Sequence, residues 1–237
     1  MRRTGSAAVV LCVVIVATAA HAQSRRSSVT GTTASRGTNY SIFGADTVPA
    51  GVDVAEAEFG WPAITFGFLH GLSPTSDVGV KFDLLFGVEG ESQDGFSQFG
   101  IGARVPFRIH ALRKDKVGVL FHIDPGIKLH TFSPAWFGIA FPVGVTFAYA
   151  AHNDFTVAFG VDLPMTLFVT PSPVAFFIGP QFGPAFEYHV DRELTIGLNT
   201  RFGPVIRTAT PGFDVPGVSG NGTEFGFTIE LGLGYRL

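Results

Sequence analysis

Cysteine is nearly absent from this chain of 237 residues: the only one, Cys12, lies in the first apolar run. Disulfides and thiol chemistry are thereby excluded from everything that follows it. Charge is scarce as well. Lys, Arg, Asp and Glu make up 15% of the residues, against the roughly one quarter usual in soluble domains. With a formal charge of −3 and no basic stripe, nucleic acid is excluded as a partner. No HExxH, CxxC or EF-hand spacing occurs, so no metal, cofactor or catalytic residue set is identified. An apolar stretch at 136–151 falls short of the ~20 residues a membrane helix needs, and Pro142 and Gly144 interrupt it.

What is present begins with an export signal. Arg2 and Arg3 precede an apolar run over residues 7–20, and Ala20-His21-Ala22 is a small-x-small cleavage site. Residues 1–22 therefore read as a signal peptide. Its removal leaves 14 basic against 19 acidic residues, a formal charge of −5. Residues 23–38, rich in Ser, Thr, Gly and Arg, read as a disordered lead-in. Residues 39–237 form the folded part.

There the pattern is period two. Val78, Val80, Phe82, Leu84, Phe86 and Val88 alternate with Gly79, Lys81, Asp83, Leu85, Gly87 and Glu89. Phe99 to Ile109 alternate in the same way with Gly100, Gly102, Arg104, Pro106 and Arg108. The rhythm continues through 117–129, 137–149, 155–169, 174–188, 194–206 and 225–237, with turn-forming residues between. One face is Phe, Leu, Ile, Val and Tyr, and the other is mostly Gly, Ala and Thr with sparse charges. A soluble sheet would crowd its outer face with Lys and Glu. Large apolar side chains facing lipid and small ones facing a narrow lumen fit a closed antiparallel up-and-down transmembrane β-barrel. Strands of 12 or 13 residues exceed the ~9–11 needed to cross the apolar layer.

Ten strands are expected. Residues 39–47 supply the first and pair with the closing strand. Residues 52–72 form one long strand, kinked at Gly60-Trp61-Pro62, where the apolar phase switches. Eight strands remain if 39–51 does not pair. Pro106, Pro125, Pro142, Pro164, Pro180, Pro184 and Pro204 fall inside strands, where each removes a ladder hydrogen bond, so bulges or weakened ladders are expected at them.

The signal peptide, the alternation and the terminal pattern Leu231, Leu233, Tyr235 resemble Gram-negative outer-membrane β-barrel proteins, whose last strand alternates apolar residues up to a terminal aromatic. Leu237 departs from that pattern. The resemblance implies location in the bacterial outer membrane, with outer-membrane lipid and the barrel assembly machinery as partners.

Symmetric pairing about the turns places a row of polar residues on the inward face: Lys81, Asp83, Arg104, Asp124, Asp162, Gln181, Arg201 and Glu230. Arg201 is expected opposite Glu230, Asp162 opposite both Gln181 and Pro142, and Arg104 beside Asp124. Such charges either pair and plug the lumen or form a charged constriction. Tyr149, Tyr188 and Tyr235 are expected as a girdle at one membrane interface, with Trp136 at the other rim. His110, His122 and His130 share the inward face without a metal-ligand spacing. The expected function is structural, or that of a narrow passive pore. The alternatives are an enzyme acting on lipid or peptide at the outer rim, with Asp94 and Asp214 as loop carboxylates, and surface recognition through the loop 208–223.

Overall fold

A computed structural model describes residues 40–87, 99–131, 135–169, 174–210, 214–215, 218–219 and 221–237, with the side chains of 214–219 left aside. The signal peptide, the lead-in, Asp94 and the side chain of Asp214 lie outside the described residues. Alternation of large and small residues yields strands throughout. β1 (Asp53–Trp61), β2 (Ala63–Ser73) and β3 (Ser76–Leu85) come first. Five pairs follow: β4 (Gly100–Arg104) and β5 (Phe107–Lys114), β6 (Val117–Ile123) and β7 (Gly126–His130), β8 (Trp136–Ala140) and β9 (Val143–His152), β10 (Phe155–Leu163) and β11 (Met165–Val169), β12 (Val174–Ile178) and β13 (Gln181–His189). β14 (Leu194–Ala209), β15 (Asp214–Val215), β16 (Val218–Ser219) and β17 (Gly222–Arg236) complete the chain. Apart from the small β15–β16 hairpin, these form one antiparallel sheet of fifteen strands.

The sheet returns on itself. β1 pairs with β2 on one side and with β17 on the other, β17 pairs with β14, and the remaining strands link β14 back to β3 and β2. The result is a ring of hydrogen-bonded strands. Its outer face is apolar and its inner face small or polar. Phe82 is 60% exposed while its neighbour Asp83 is 3% exposed, the inverse of a soluble sandwich. Exposed charged residues lie near the turns, as at Lys114, Asp115 and Lys116, and not among the outward Phe, Leu and Ile of the strand centres.

Fifteen strands stand where ten were expected because the inter-strand ladder is interrupted at proline. The breaks fall at Val105-Pro106, Asp124-Pro125, Phe141-Pro142, Pro164 and Gly179-Pro180. No bulge accompanies them. Lys81 opposite Arg104 before the break and Val78 opposite Phe107 after it keep one register, and the other broken pairs behave alike. Register shifts occur instead beside turns, between Gly71 and Ser73, His110 and Leu112, and Phe155 and Thr156. The breaks also adjoin one another. The Gly79, Val105 and Asp124 amides donate to the carbonyls of Pro106, Pro125 and Pro142, at 2.9, 2.8 and 2.9 Å. The flanking register sets Pro142 opposite Pro164 and Pro180 opposite Pro204. The five breaks thus form a belt at one height of the ring, where missing N–H groups thin the ladder without disturbing its register, whereas Pro184 and Pro204 lie inside β13 and β14 without interrupting them.

Two expectations about the first residues are overturned together. Residues 52–72 are not one kinked strand but a hairpin that reverses at Trp61-Pro62, with Phe59 opposite Ile64. The switch in apolar phase marks the reversal. β1 therefore takes the place beside β17, with Val54 opposite Arg236 and Trp61 opposite Ile229. Residues 39–47 are not needed there. The described part of that stretch, from Tyr40 on, forms no strand and is buried inside the ring.

At the seam, a Cβ on Gly60 would lie 1.8 Å from the Ile229 carbonyl oxygen. Gly60→Val should therefore part β1 from β17, at a cost of about 3 kcal/mol or more. Thermal unfolding in detergent will show a lowered midpoint, whereas Gly222→Ala, with its nearest neighbour 3.9 Å away, will leave it unchanged.

Candidate functional site

The inward face carries the chemistry, and it is organised in three levels. At the end that holds the C-terminus, residues 40–48 fill the lumen. This segment has no ladder to satisfy its backbone, so the wall supplies partners. Glu187 Oε1 accepts from the Ile42 and Phe43 amides at 2.6 and 2.8 Å, and Asp77 Oδ2 accepts from the Val48 amide at 2.7 Å. Arg108 donates to the Ser41 carbonyl at 2.8 Å while its other nitrogens hold Asp77. Arg113 pairs with Asp46 at 3.1 Å. The Tyr40 hydroxyl donates to the Glu193 carbonyl at 3.0 Å, and burial raises its pKa far enough to keep it a neutral donor. Small wall residues make the room. Cβ atoms on Gly197 and Gly232 would sit 2.8 and 2.6 Å from the Phe43 ring, and Ala45 packs among Leu120, Ala148, Ala158 and Ala185.

The middle level is a cavity of about 180 Å³, and all eight residues expected to form the inward row line it. Their partners are specific. Arg104 grips Asp83 through two nitrogens, each at 2.8 Å, and lies 3.7 Å from Asp124. The Thr65 hydroxyl donates to Asp83 at 2.7 Å. Lys81 is shared by Glu56 at 2.8 Å and Glu58 at 2.7 Å. Asp162 takes both Arg201 and, at 2.9 Å, His122. Arg201 also donates to the Gly183 and Thr200 carbonyls, at 3.0 and 2.9 Å. Asp162 lies opposite Gln181, as the symmetric pairing expects.

Two expected pairs are displaced by two residues. Arg201 lies opposite Thr228, not Glu230, and Asn199 takes the place facing Glu230 and donates to it at 3.0 Å. Gly144, not Pro142, lies opposite Asp162. A two-residue slip keeps the same face but moves a side chain up or down one level, which periodicity alone does not detect. Glu56, Glu58, His122 and Asn199 were not placed in the row. For the two glutamates the signal was present, since they alternate with Ala55 and Ala57, but it was masked by reading 52–72 as a single strand.

The third level is largely aromatic, with Lys128 and His130 buried beside the rings. Phe168 packs against Trp136, Phe177 and His130, with ring centroids 5.6, 5.1 and 5.7 Å apart. Trp136 is accordingly not an interface residue at the rim. It is 3% exposed and points inward, because it shares a register position with His130 while Phe137 and Leu129 face out. Tyr149 and Tyr188 are exposed and Tyr235 is half-buried, its hydroxyl 3.2 Å from the Glu193 carboxylate. All three lie at the end that holds the C-terminus: Tyr149 and Tyr188 oppose Val157 and Phe155, and Tyr235 opposes Leu194. His110, His122 and His130 fall on different levels, and among the described residues no cluster suits a metal ion.

Asp162 is the joint between two cations, so Asp162→Ala strands Arg201 and His122 inside the ring. Breaking a buried pair from one side should cost ~3–5 kcal/mol. Equilibrium urea unfolding in lipid vesicles will show that loss, and the double variant Asp162→Leu/Arg201→Met will regain most of it. The sequence matches no protein-family model and no curated protein.

Proposed function

We propose that this chain is an integral outer-membrane protein, a closed β-barrel of ten antiparallel traverses whose lumen is a sealed, charge-lined chamber. It serves as a structural barrel and not as an open pore. The unbroken register across each proline break supports the count: each of the five pairs from β4–β5 to β12–β13 acts as one traverse, beside β1, β2, β3, β14 and β17. The turns at 74–75, 115–116, 153–154 and 190–193 share one rim with the C-terminus, as periplasmic turns and ends do in bacterial barrels, while the β1–β2 hairpin reverses away from that rim. The apolar outer face suits lipid, where an ionised side chain at mid-depth costs ~2–4 kcal/mol. The closing strand, with Leu231, Leu233 and Tyr235 pointing away from the lumen, is the segment the assembly machinery would read.

The observation that carries the sealed-lumen reading is the burial of residues 40–48 inside the ring, below the ion network and opposite the Phe168 cluster. A passive pore needs a continuous aqueous path; residues 40–48 occupy that path at the C-terminal end, and the Phe168 cluster narrows it at the other. In planar bilayers the full-length protein will therefore be silent. Deletion of residues 40–48 combined with Arg201→Ala will produce stepwise conductance. Steady conductance from the unaltered protein would sink this reading.

A further inference from the structure

The rim that holds the C-terminus carries its charge unevenly. The β2–β3 turn, Pro74-Thr75, has none, and the β9–β10 turn, Asn153-Asp154, has one acid. Between β13 and β14, Arg192 stands between Asp191 and Glu193. Only the β5–β6 hairpin is strongly basic, with Arg113, Lys114 and Lys116 against Asp115.

Register decides where these cations point, because opposed residues of an antiparallel pair share a face. Arg113 opposes Gly118 and reaches inward to Asp46. Lys114 opposes Val117, and Val117 opposes Tyr149; both partners are exposed on the outer face, so Lys114 is turned outward too. The Lys116 ammonium lies 5.9 Å from the centre of the Tyr149 ring, which holds it on the same outer side. Lys114 and Lys116 are exposed and form no ion pair among the described residues. Arg236, at the same rim, opposes the buried Val54 and is not turned this way. Farther from the rim on the outer face come Leu112, Phe121 and Phe147, all exposed and none charged. The two ammonium groups therefore stand at the edge of the apolar belt, beside a tyrosine of the kind that marks a membrane interface.

We infer that the outer side of the β5–β6 hairpin binds the headgroup of an anionic phospholipid, whose phosphate accepts from Lys114 and Lys116 while its acyl chains lie along Leu112, Phe121 and Phe147. This site presupposes the membrane-spanning barrel proposed above. A choline headgroup brings its own cation beside the phosphate and gains little from the lysines. A glycerol headgroup brings none and leaves the phosphate charge to them. Each lysine near an anionic lipid surface is worth roughly fivefold in binding.

The test is native mass spectrometry of the full chain in nonionic detergent with equimolar phosphatidylglycerol and phosphatidylcholine. One phosphatidylglycerol should be retained in preference to phosphatidylcholine by about tenfold or more. Lys114→Gln/Lys116→Gln should bring the two lipids level. Arg192→Gln/Arg236→Gln removes the same charge from the same rim and should leave the preference intact. Equal retention of both lipids by the unaltered chain would overturn the inference. So would a preference that survives the lysine substitutions, or one that the arginine substitutions abolish as well. Displacement of the lipid by an equal concentration of glycerol phosphate would reveal a site for soluble phosphate and overturn the lipid assignment. Flotation with phosphatidylcholine vesicles tests the membrane reading separately. A chain that floats but retains both lipids equally overturns only the headgroup site, and one that stays in solution without detergent overturns the membrane-spanning barrel.

Discussion

The pairing of β1 with β17 is the contact on which the rest depends. Eight residue pairs between Val54–Trp61 and Ile229–Arg236 join the beginning of the sheet to its end. Without them there are two long edges, each a row of unsatisfied N–H and C=O groups. With them the sheet has an interior, and every other feature follows from what that interior can hold. The fit is closest at Gly60, where only a hydrogen side chain leaves room for the Ile229 carbonyl.

An interior bounded by backbone is a poor solvent for charge, so its polar groups must answer one another. They do so in an order set by height. Near the C-terminal rim, acidic wall residues bind the backbone of residues 40–48, and one oxygen of Glu187 accepts from two amides that no strand pairs. At mid-height, guanidinium and carboxylate groups hold each other across neighbouring strands. Above them, aromatic rings close over His130. The small inner residues that suggest only a narrow lumen have a more definite purpose in the lower third: they are the mould of the inserted segment, with Phe43 lying on Gly197 and Gly232.

Much of this was legible in the sequence. Strand positions and the outward face follow from alternation, and a charged or amide side chain on the small face of an apolar strand is unusual enough to mark eight of the residues that line the cavity. Partners were not legible, because they depend on register, which is set by the irregularity at Phe155/Thr156 between β9 and β10 and by where the chain reverses between β14 and β17. Residues 40–48 were misread for another reason. Tyr40, Ile42 and Val48 mimic a strand, while the features that draw the segment inward, Glu187, Asp77 and Gly232, lie far off in the chain. The hairpin at Trp61-Pro62 passed for a kink because it lacks the Asn-Gly or Asp-Gly pair that announces a tight turn. Trp136 was read as a rim residue beside a turn, but it begins β8, and the alternation that puts Phe137 outside puts its neighbour inside.

The proline belt gives the ring an uneven construction. At that height the strands are joined by fewer amide hydrogen bonds, and it is the height at which Arg104, Asp124, Asp162 and Arg201 reach across to their neighbours. Lateral cohesion passes there from main chain to side chain, as if a cask were held at its waist by a hoop of ions instead of by its staves. Charge inside the ring is then part of what joins its strands, and a substitution among these ions also weakens the link between neighbouring staves.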